Sequence, residues 1–355
     1  METKEIHMPK TSAYAATAAR KPLAPYTIDR RQPGPRDVHI DILFCGVCHS
    51  DLHQVRAEWG GEVFPMVPGH EIIGRVRQVG KQVTKFKPGD LAGVGVFVDS
   101  CRECAPCRSG FEQFCEKGAA FTYNSTEMDR KTPTYGGYSR EIVVAEPYVL
   151  KVPAGLDPAR AAPLLCAGIT TYSPLRQWKA KKGDRVGVVG LGGLGHMAVK
   201  LAASMGADVT VLSTSRSKEP DARKLGAHGF ELTKEPSTFQ KLAGRFDLIV
   251  DTVSAPHDYN AYLGTLRPRG VMAVVGIPPE PTPVGAASLI QGNKVLAGSM
   301  VGGIPETQEM LDYCAAHEVA ADVEVIPIQE INQAYERLVR GDVRYRFVID
   351  LGSLP

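Results

Sequence analysis

The chain has 355 residues, of which 43% are hydrophobic and 23% charged, as expected for a folded protein long enough for two domains. Its 41 basic and 39 acidic residues leave a net charge of +2, which argues against a protein that binds nucleic acid or a membrane surface. No apolar run reaches the ~18 residues of a membrane-spanning helix, and the first ten residues lack the apolar core of a signal peptide, so we expect a cytoplasmic protein.

The first part of the chain, up to about Val152, alternates short β-branched runs with glycine and proline. Short strands between turn residues are typical of an irregular β-rich domain. The predicted strands lie at 37–45, 71–80, 90–98 and 138–153.

From about Lys181 the pattern alternates strand with helix, which predicts a parallel sheet covered by helices. The predicted strands lie at 185–190, 208–213, 246–253, 270–277 and 294–302, and the predicted helices at 193–207, 217–227 and 257–267. The tail is mixed again, with predicted helices at 305–317 and 328–342 and a strand at 344–351. The fold class is therefore α/β: a Rossmann-type doubly wound parallel sheet, residues 168–304, inserted in a discontinuous β-rich domain, residues 1–167 and 305–355.

Four of the eight cysteines form a C-x2-C-x2-C-x7-C cluster. Cytosolic thiols stay reduced, so such a cluster indicates metal ligands before disulfides. Four thiolates can close a tetrahedron around zinc and leave no open position, which favours a structural zinc site. An iron–sulfur cluster and a metal-free turn are the alternatives. The four residues are Cys101, Cys104, Cys107 and Cys115.

A second possible metal site draws on three separate stretches, "GVCHSDLH", "PGHE" and "LLCAGITT". A catalytic zinc usually has three protein ligands and one open position. The candidate ligands are Cys48, His70, Cys166 and, in competition for the fourth position, Glu71. From the residues alone, Cys45 or His49 could replace Cys48, and Cys166 could be an ordinary buried side chain.

The stretch VGVVGLGGLG contains G-x-G-x-x-G at Gly190, Gly192 and Gly195, directly after a predicted strand and at the start of a predicted helix. In this context the glycines allow a tight turn, a close approach of the backbone to a pyrophosphate, and packing of the helix on its strand. A glycine-rich turn without a ligand is the alternative.

The end of the next strand indicates which dinucleotide is bound. An acidic residue there would bind the ribose of NAD, but the sequence after Val211 is LSTSRSK, with no carboxylate before Glu219. Hydroxyl and basic side chains can instead bind the 2′-phosphate of NADP(H), although a solvated polar loop has the same composition. The candidate contacts are Ser213, Thr214, Ser215, Arg216 and Lys218.

The order of these motifs resembles that of the zinc-dependent medium-chain alcohol dehydrogenases. The motifs are "GVCHSDLH", "PGHE", "CRECAPC…C", "APLLCAGITTYSPL" and "VGVVGLGGLGH". "SMVGGIPETQEML" and "DVRYRFVIDL" are similar to the cinnamyl alcohol dehydrogenase branch, which includes bacterial NADP-dependent broad-range aldehyde reductases. The resemblance extends from about Ala24 to Leu351.

The resemblance implies a GroES-like catalytic domain around the inserted domain and two zinc ions per chain. It implies that Cys48, His70 and Cys166 bind the catalytic zinc, that Glu71 lies beside that zinc and can bind it, and that Asp51 orients His70. The cysteine cluster would hold the structural zinc, and Cys45 would be a structural residue.

The resemblance also implies an NADP(H)-dependent alcohol dehydrogenase or aldehyde reductase, which transfers hydride between NADPH and the carbonyl carbon of a zinc-bound aliphatic or aromatic aldehyde, cinnamyl aldehydes included. A proton relay would run through Ser50 and His53, and His49 would face the coenzyme phosphates. The implied loop contacts are Gly190, Leu191, Gly192, Gly193, Leu194 and Gly195. The implied nicotinamide contacts are Thr170, Thr252, Gly276, Met300, Val301 and Gly302, with Arg346 at the pyrophosphate.

Three other functions share parts of this pattern. A zinc-free quinone or enone reductase lacks the ligand set, and a non-catalytic nucleotide-binding zinc protein needs neither Ser50 nor a third ligand. A thiol oxidoreductase could use Cys45 and Cys48, but the thioredoxin-like context is absent.

The candidate substrate-pocket walls are Trp59, Phe121 and Met300. We expect a small-molecule alcohol or aldehyde substrate and a homodimer paired through 294–302, although that stretch could also be a covered edge strand.

Overall fold

The structure is a computed structural model that describes residues 10–355, so the segment 1–9, used above to judge the signal peptide, lies outside the described residues. The described chain divides into two compact units. The first unit contains the chain up to Cys166, then Gly303–Ala315 and Ala320–Pro355. The second contains Ala167–Gly302 and Ala316–Val319.

The first unit begins with short strands separated by turns, as its glycine and proline content predicts. The strands are β1 Lys10–Ala15, β2 Ala24–Asp29, β3 Asp37–Gly46, β4 Ile72–Val79, β5 Leu91–Val94, β6 Phe97–Asp99, β7 Ala120–Phe121, β8 Ser125–Thr126, β9 Pro133–Thr134, β10 Glu141–Ala145 and β11 Leu150–Lys151. The helices are α1 His49–Val55, α2 Ala105–Arg108 and α3 Pro158–Ala161. The predicted strand at 138–153 was too long: a 3-10 turn that contains Pro147 separates β10 from β11, because proline has no N–H for the ladder.

The second unit alternates helix and strand. Its helices are α4 Ala167–Gln177, α5 Gly195–Ser204, α6 Glu219–Lys224, α7 Pro236–Lys241, α8 Tyr259–Thr265 and α9 Ala286–Ile290. Its strands are β12 Arg185–Val189, β13 Asp208–Ser213, β14 Gly229–Leu232, β15 Phe246–Asp251, β16 Leu266–Val274 and β17 Val295–Gly298.

These strands form the parallel sheet that the sequence predicts, in the order β14-β13-β12-β15-β16-β17. β12 lies centrally, and its valines are buried because helices cover both faces of such a sheet. From β12 the chain builds the sheet first in one direction, through β13 and β14, and then in the other, through β15, β16 and β17. The glycine turn that follows β12 therefore lies at the topological switch point, where α/β sheets bind ligands. Phe246, Ile249, Leu263 and Met272 form part of a buried apolar cluster beside this strand.

The tail returns to the first unit. It forms α10 Ile304–Ala316, β18 Val323–Pro327, α11 Ile331–Val339 and β19 Arg346–Asp350. Short 3-10 turns lie at Glu112–Phe114, Glu146–Tyr148, Ala162–Leu165, Arg216–Lys218, Ile328–Glu330 and Leu351–Ser353. None of the helices in residues 10–355 is long and apolar enough to cross a bilayer.

The largest sheet of the first unit joins the two ends of the chain. Its order is β11-β5-β4-β3-β19-β18, with β10 paired to β3. β19 runs antiparallel to β3, so that Ile349 lies opposite Cys45, while β18 runs parallel to β19. This pairing brings Arg346, at the start of β19, into the same unit as the candidate zinc ligands of the N-terminal part.

Candidate active site

Four predicted metal ligands meet in the first unit. One donor atom from each of Cys48, His70, Glu71 and Cys166 lies within 4.8 Å of the others, and all four residues are buried. The two sulfur atoms are 3.9 Å apart. Cys45, the alternative to Cys48, is not in this group. Two sulfurs, an imidazole and a carboxylate form a donor set that suits zinc, so the residues present fit the ion.

Local structure explains why these donors converge. Cys48 is the extended residue directly before α1, and His70 and Glu71 directly precede β4. Cys166 lies between a 3-10 turn and α4. Gly46, at the end of β3, must be glycine because a Cβ there would collide with the carboxylate of Glu71.

Asp51 holds two of the ligands in place from behind. Its Oδ1 lies 3.2 Å from His70 Nδ1, and its Oδ2 accepts hydrogen bonds from the Cys48 amide at 2.8 Å and from the Tyr138 hydroxyl at 3.2 Å. Because Asp51 is fully buried and engages Nδ1, the other ring nitrogen of His70 is left for a metal. His70 also stacks on Tyr123, with ring centroids 5.8 Å apart.

The electrostatics of the donor set act in both directions: they favour the Cys48 thiolate, whereas the raised pKa values of His70, Glu71 and Cys166 mean that these groups must lose a proton when a metal binds. The hydrogen bond from Cys166 lowers the pKa of Cys48 well below its usual value, which favours the thiolate that binds metals. Burial on its own would lower the pKa of His70, but the neighbouring Asp51 raises it well above its usual value. Burial raises the pKa of Glu71 to about 7.

Arg346 has a partner that the sequence did not predict. Its Nη2 is paired with Glu71 Oε1, and both side chains are buried. The other carboxylate oxygen, Glu71 Oε2, is buried without a hydrogen-bond partner, as expected for an oxygen that a nearby cation can engage. The predicted contact of Arg346 with the coenzyme pyrophosphate stays a prediction.

The cysteine cluster closes on itself as predicted from its spacing. One sulfur from each of Cys101, Cys104, Cys107 and Cys115 lies within 4.8 Å of the others. Backbone amides stabilise the thiolates: Cys101 N donates to Cys115 Sγ and Cys104 N to Cys101 Sγ, each at 3.4 Å. Hydrogen bonds from backbone amides lower the pKa of Cys101 to about 6. The set fits a closed tetrahedral zinc site.

The predicted relay residues lie on α1. Ser50 Oγ is 3.6 Å from Cys48 Sγ. His53 Nδ1 is 2.5 Å from Glu58 Oε2, and its ring stacks on Trp59 at 5.2 Å. Sequence reasoning missed Glu58, because nothing in its position five residues after His53 marks it as a partner. His49, the first residue of α1, is exposed at the surface of this unit, yet the neighbouring protein partly desolvates its ring and lowers its pKa.

The glycine turn in the second unit has the geometry of a nucleotide-binding loop. Gly190 has φ +87°, which few other residues tolerate, and a Cβ at Gly195 would collide with the Gly190 carbonyl. A Cβ at Gly192 would meet nothing within 4 Å, so this backbone is open to a close ligand. The loop therefore fits a dinucleotide pyrophosphate. The intervening Leu191, Gly193 and Leu194 complete the turn.

The loop after β13 presents the predicted hydroxyl and basic groups. Ser213 Oγ accepts a hydrogen bond from the Ser215 amide at 3.2 Å. Lys218 Nζ donates to the Leu191 carbonyl at 2.9 Å, so this ammonium group lies at the glycine turn. Arg216 is exposed and pairs with Glu219 at 3.6 Å. The loop therefore fits a 2′-phosphate better than a free ribose hydroxyl.

The remaining predicted coenzyme contacts are also in the second unit. Thr252 Oγ1 donates to the Val189 carbonyl at 2.7 Å, directly before the glycine turn. Thr170 is buried in α4, Gly276 follows β16, and Met300, Val301 and Gly302 follow β17.

Comparison with known proteins finds matches along nearly the whole chain. Residues 34–154 match the alcohol dehydrogenase GroES-like domain, and residues 193–316 match the zinc-binding dehydrogenase domain. The chain is 58% identical to the NADP-dependent alcohol dehydrogenase C 1 of Mycolicibacterium smegmatis over 98% of this chain and 99% of that protein. It is 52% identical to the aldehyde reductase YahK of Escherichia coli over 97% and 99% of the two chains.

Solved structures agree as well. A cinnamyl alcohol dehydrogenase from Sorghum bicolor has a TM-score of 0.95 and 45% identity, with 98% of this chain and 99% of that chain covered. The CAD from Helicobacter pylori complexed with NADP(H) has a TM-score of 0.91 and 43% identity, with the same coverage. These matches span both units, and the chain belongs to the zinc-binding alcohol dehydrogenase family.

Proposed function

We propose that this chain is an NADP(H)-dependent alcohol dehydrogenase and aldehyde reductase, which transfers hydride between NADPH and the carbonyl carbon of an aldehyde. The observation that supports it most is the buried set of Cys48, His70, Glu71 and Cys166 donors in one unit. The relatives from M. smegmatis and E. coli carry the names NADP-dependent alcohol dehydrogenase and aldehyde reductase.

In this proposal, Cys48, His70 and Cys166 hold a catalytic zinc ion, and Glu71 lies beside it. A zinc ion bound there supplies a Lewis acid that polarises the substrate oxygen. Asp51 keeps the imidazole of His70 oriented. The cysteine cluster at 101–115 holds a second, structural zinc ion, so that the chain carries two.

The chain's own groups handle the proton. The Ser50 hydroxyl lies on α1, 3.6 Å from Cys48 Sγ. It supplies a proton to the substrate oxygen when an aldehyde is reduced and takes a proton from that oxygen when an alcohol is oxidised. His53 holds the next proton on its ring, and the carboxylate of Glu58, 2.5 Å from Nδ1, fixes the ring orientation. Trp59 covers one face of that ring and limits its rotation.

Most of the proposed coenzyme contacts belong to the second unit. The amides of residues 190–195 bind the pyrophosphate, and Ser213–Lys218 bind the 2′-phosphate, with Lys218 held at the glycine turn by the Leu191 carbonyl. We infer that Thr170, Thr252, Gly276 and Met300–Gly302 line the nicotinamide. His49 and Arg346 provide further contacts to the coenzyme phosphates in this proposal.

The substrates we propose are aliphatic and aromatic aldehydes. Trp59 and Phe121, in the first unit, are 49% and 38% exposed, which is unusual for large aromatic side chains and fits an apolar substrate. Met300 is 45% exposed in the second unit, and its flexible side chain suits substrates of varied shape.

The test is an aldehyde panel with NADPH and with NADH, run on the wild type and on Cys166→Ser. We expect reduction of both aldehyde classes, faster with NADPH. Cys166→Ser should lose aldehyde reduction and one of two zinc ions, yet retain NADPH binding, because the glycine turn lies in the other unit. Cys314→Ser is the matched control, since this thiol is also buried but lies in α10, where it donates to Met310 Sδ at 3.6 Å, and belongs to neither candidate metal site. NADPH binding without reduction of any aldehyde would contradict the proposal.

We also infer a cytoplasmic homodimer. β17 is the edge strand of the parallel sheet, and Val295 on it is 36% exposed, with Ile290 just before it 73% exposed. An apolar edge of this kind is stabilised when it pairs with a second copy. The eight cysteines are unpaired, as in a reducing compartment. Light scattering should give twice the chain mass of 38.3 kDa, and the monomer mass would contradict the dimer.

A further inference from the structure

Both ring nitrogens of His257 face hydrogen-bond acceptors. Nε2 lies 3.0 Å from Asp251 Oδ2, and Nδ1 lies 2.8 Å from the Ala255 carbonyl oxygen. A carbonyl has no proton to donate, and neither has an ionised carboxylate, so each contact requires an N–H on the ring. Only the imidazolium ion carries both, so the geometry indicates that His257 is positively charged.

The surroundings support this charge. Burial on its own would lower the pKa of His257, but the hydrogen bonds to Asp251 and to the Ala255 carbonyl raise it above its usual value. Asp258 adds a second negative charge nearby. The rings of Tyr259 and Tyr262, at 4.9 and 5.4 Å, complete the set of titratable groups that face the imidazole, and burial raises the pKa of both phenols, which keeps them neutral.

Asp251 needs this cation. It ends β15, its side chain is fully buried, and its Oδ1 accepts one hydrogen bond, from the Val253 amide at 3.2 Å. A buried carboxylate with a single amide donor is poorly compensated. The imidazolium therefore neutralises Asp251, and the two side chains together close the turn from 251 to 257.

This turn lies against the glycine loop. A Cβ at Gly190 would lie only 2.8 Å from Val253 Cγ2 and 3.1 Å from Thr252 Oγ1. The Thr252 amide and hydroxyl both donate to the Val189 carbonyl, at 3.1 and 2.7 Å. On the other side, the amides of Val275 and Gly276 donate to the Asp251 carbonyl at 2.9 and 3.1 Å. The turn thus connects the end of β12 with the end of β16.

We propose that His257 is a positioning residue for the coenzyme: its ionic bridge to Asp251 holds Thr252 and Val253 against the glycine loop. The inference rests on the proposed function, since it assigns the coenzyme to this loop. His257 then influences the glycine loop through Asp251 and the Thr252–Val253 backbone, and its own contact with the loop is not required. A proton on His257 then favours NADPH binding.

The experiment measures the Kd for NADPH, by its fluorescence, for wild type and His257→Gln as full-length zinc-loaded proteins. We expect His257→Gln to raise Kd about tenfold at about pH 6, equivalent to ~1.4 kcal/mol, with kcat at saturating NADPH changed less than Kd. Because the pKa of His257 is raised, the wild type binds NADPH more tightly than His257→Gln at pH values below the ordinary pKa of histidine. It loses this advantage as the pH rises through the raised pKa. The ratio of the two Kd values should therefore approach one at about pH 9. Taking a ratio at each pH cancels the titration of the coenzyme's own phosphate.

Two further variants separate charge compensation from a general loss of structure. His228→Gln is the matched control, because His228 Nδ1 accepts a hydrogen bond from the Val209 amide at 3.2 Å and needs no proton there. It should leave Kd unchanged. Asp251→Asn combined with His257→Gln removes both charges and should restore Kd to within about threefold of wild type, or about 0.7 kcal/mol.

A ratio near one at low pH, a ratio that does not change with pH, or a double variant no better than His257→Gln overturns the inference. If His257→Gln does not fold, the ratio of the double-variant Kd to the wild-type Kd, taken at each pH, still decides the inference: it should fall as the pH rises, and a constant ratio would overturn it. Amide exchange at Val253 in coenzyme-free protein is an independent readout, and it should be faster in His257→Gln at low pH. If the wild type bound no NADPH at any pH, while Val253 exchange was still faster in His257→Gln than in the wild type, only the proposed function would be contradicted.

Discussion

Asp51 connects the amide of Cys48 to the imidazole of His70, with Oδ2 2.8 Å from the amide nitrogen and Oδ1 3.2 Å from Nδ1. One fully buried carboxylate therefore fixes the start of α1 and the orientation of a ring that precedes β4. These two candidate ligands are 22 positions apart in the chain, and Asp51 sets their relative geometry.

Asp51→Asn should weaken zinc binding about 10- to 100-fold at the catalytic site, because the neutral amide is a weaker acceptor for the His70 N–H. The measurement is competition with a chromogenic chelator, with the wild type and the variant each reloaded with zinc. Tyr138→Phe, which removes one hydroxyl 3.2 Å from Asp51 Oδ2, is the graded control and should have a smaller effect. Wild-type zinc affinity in Asp51→Asn would show that Asp51 does not orient a ligand.

Features that are local in sequence could be predicted without a structure. The glycine turn lies between β12 and α5 as its pattern indicates, and the C-x2-C-x2-C-x7-C spacing brings four sulfurs together. The groups lie within 6 consecutive residues in the glycine turn and within 15 in the cysteine cluster, so covalent geometry already restricts their separation. The family resemblance is also confirmed, by domain matches to both units.

Features that depend on distant pairing could not be derived from spacing. Cys48 and Cys166 are 118 positions apart, and only the resemblance selected Cys48 over Cys45 or His49 and identified Cys166 as a ligand. Arg346 pairs with Glu71 across 275 positions because β19 joins the sheet beside β3. No local pattern encodes that register. Glu58 was missed for a related reason: a turn after α1 brings it back to His53.

Glu58→Gln should lower kcat for aldehyde reduction about tenfold, because His53 loses the charged acceptor that orients its ring. The key measurement is a double-mutant cycle with His53→Gln. If Glu58 acts through His53, adding Glu58→Gln to His53→Gln should lower kcat no further. Additive losses would mean that Glu58 has a separate role. Glu62→Gln, a nearby carboxylate bound by the Trp59 and Gly60 amides, is the matched control.

Lys218→Ala should raise the KM for NADPH about tenfold and leave the KM for NADH nearly unchanged, because it removes one charged donor to the 2′-phosphate. The contact of Lys218 Nζ with the Leu191 carbonyl at 2.9 Å places this charge at the glycine turn. Lys224→Ala, at the exposed end of α6, changes the net charge equally and should change neither constant. Equal increases for both coenzymes would mean that Lys218 supports the turn and does not read the phosphate.

The ion pair between Arg31 and Asp37 makes part of the stability of the fold depend on pH. Burial on its own would raise the pKa of Asp37, but hydrogen bonds from Arg31 and from the Gly34 amide, at 2.6 Å, bring it below its usual value. A carboxylate with a lowered pKa stabilises the fold above its ordinary pKa, and this contribution is lost as the pH falls through the lowered value.

Asp37→Asn should therefore reduce the free energy of unfolding at neutral pH by about 0.5 kcal/mol, a modest value because solvent screens a partly exposed pair. Urea titrations at several pH values should show the difference from wild type narrowing as the pH falls below about 4. Asp41→Asn, on the same strand, is the control: its partner Arg77 is 53% exposed at 3.5 Å, so its loss should be unmeasurable. A difference for Asp37→Asn that stays constant with pH would mean that the side chain stabilises β3 through its shape and hydrogen bonds, and that its charge contributes nothing.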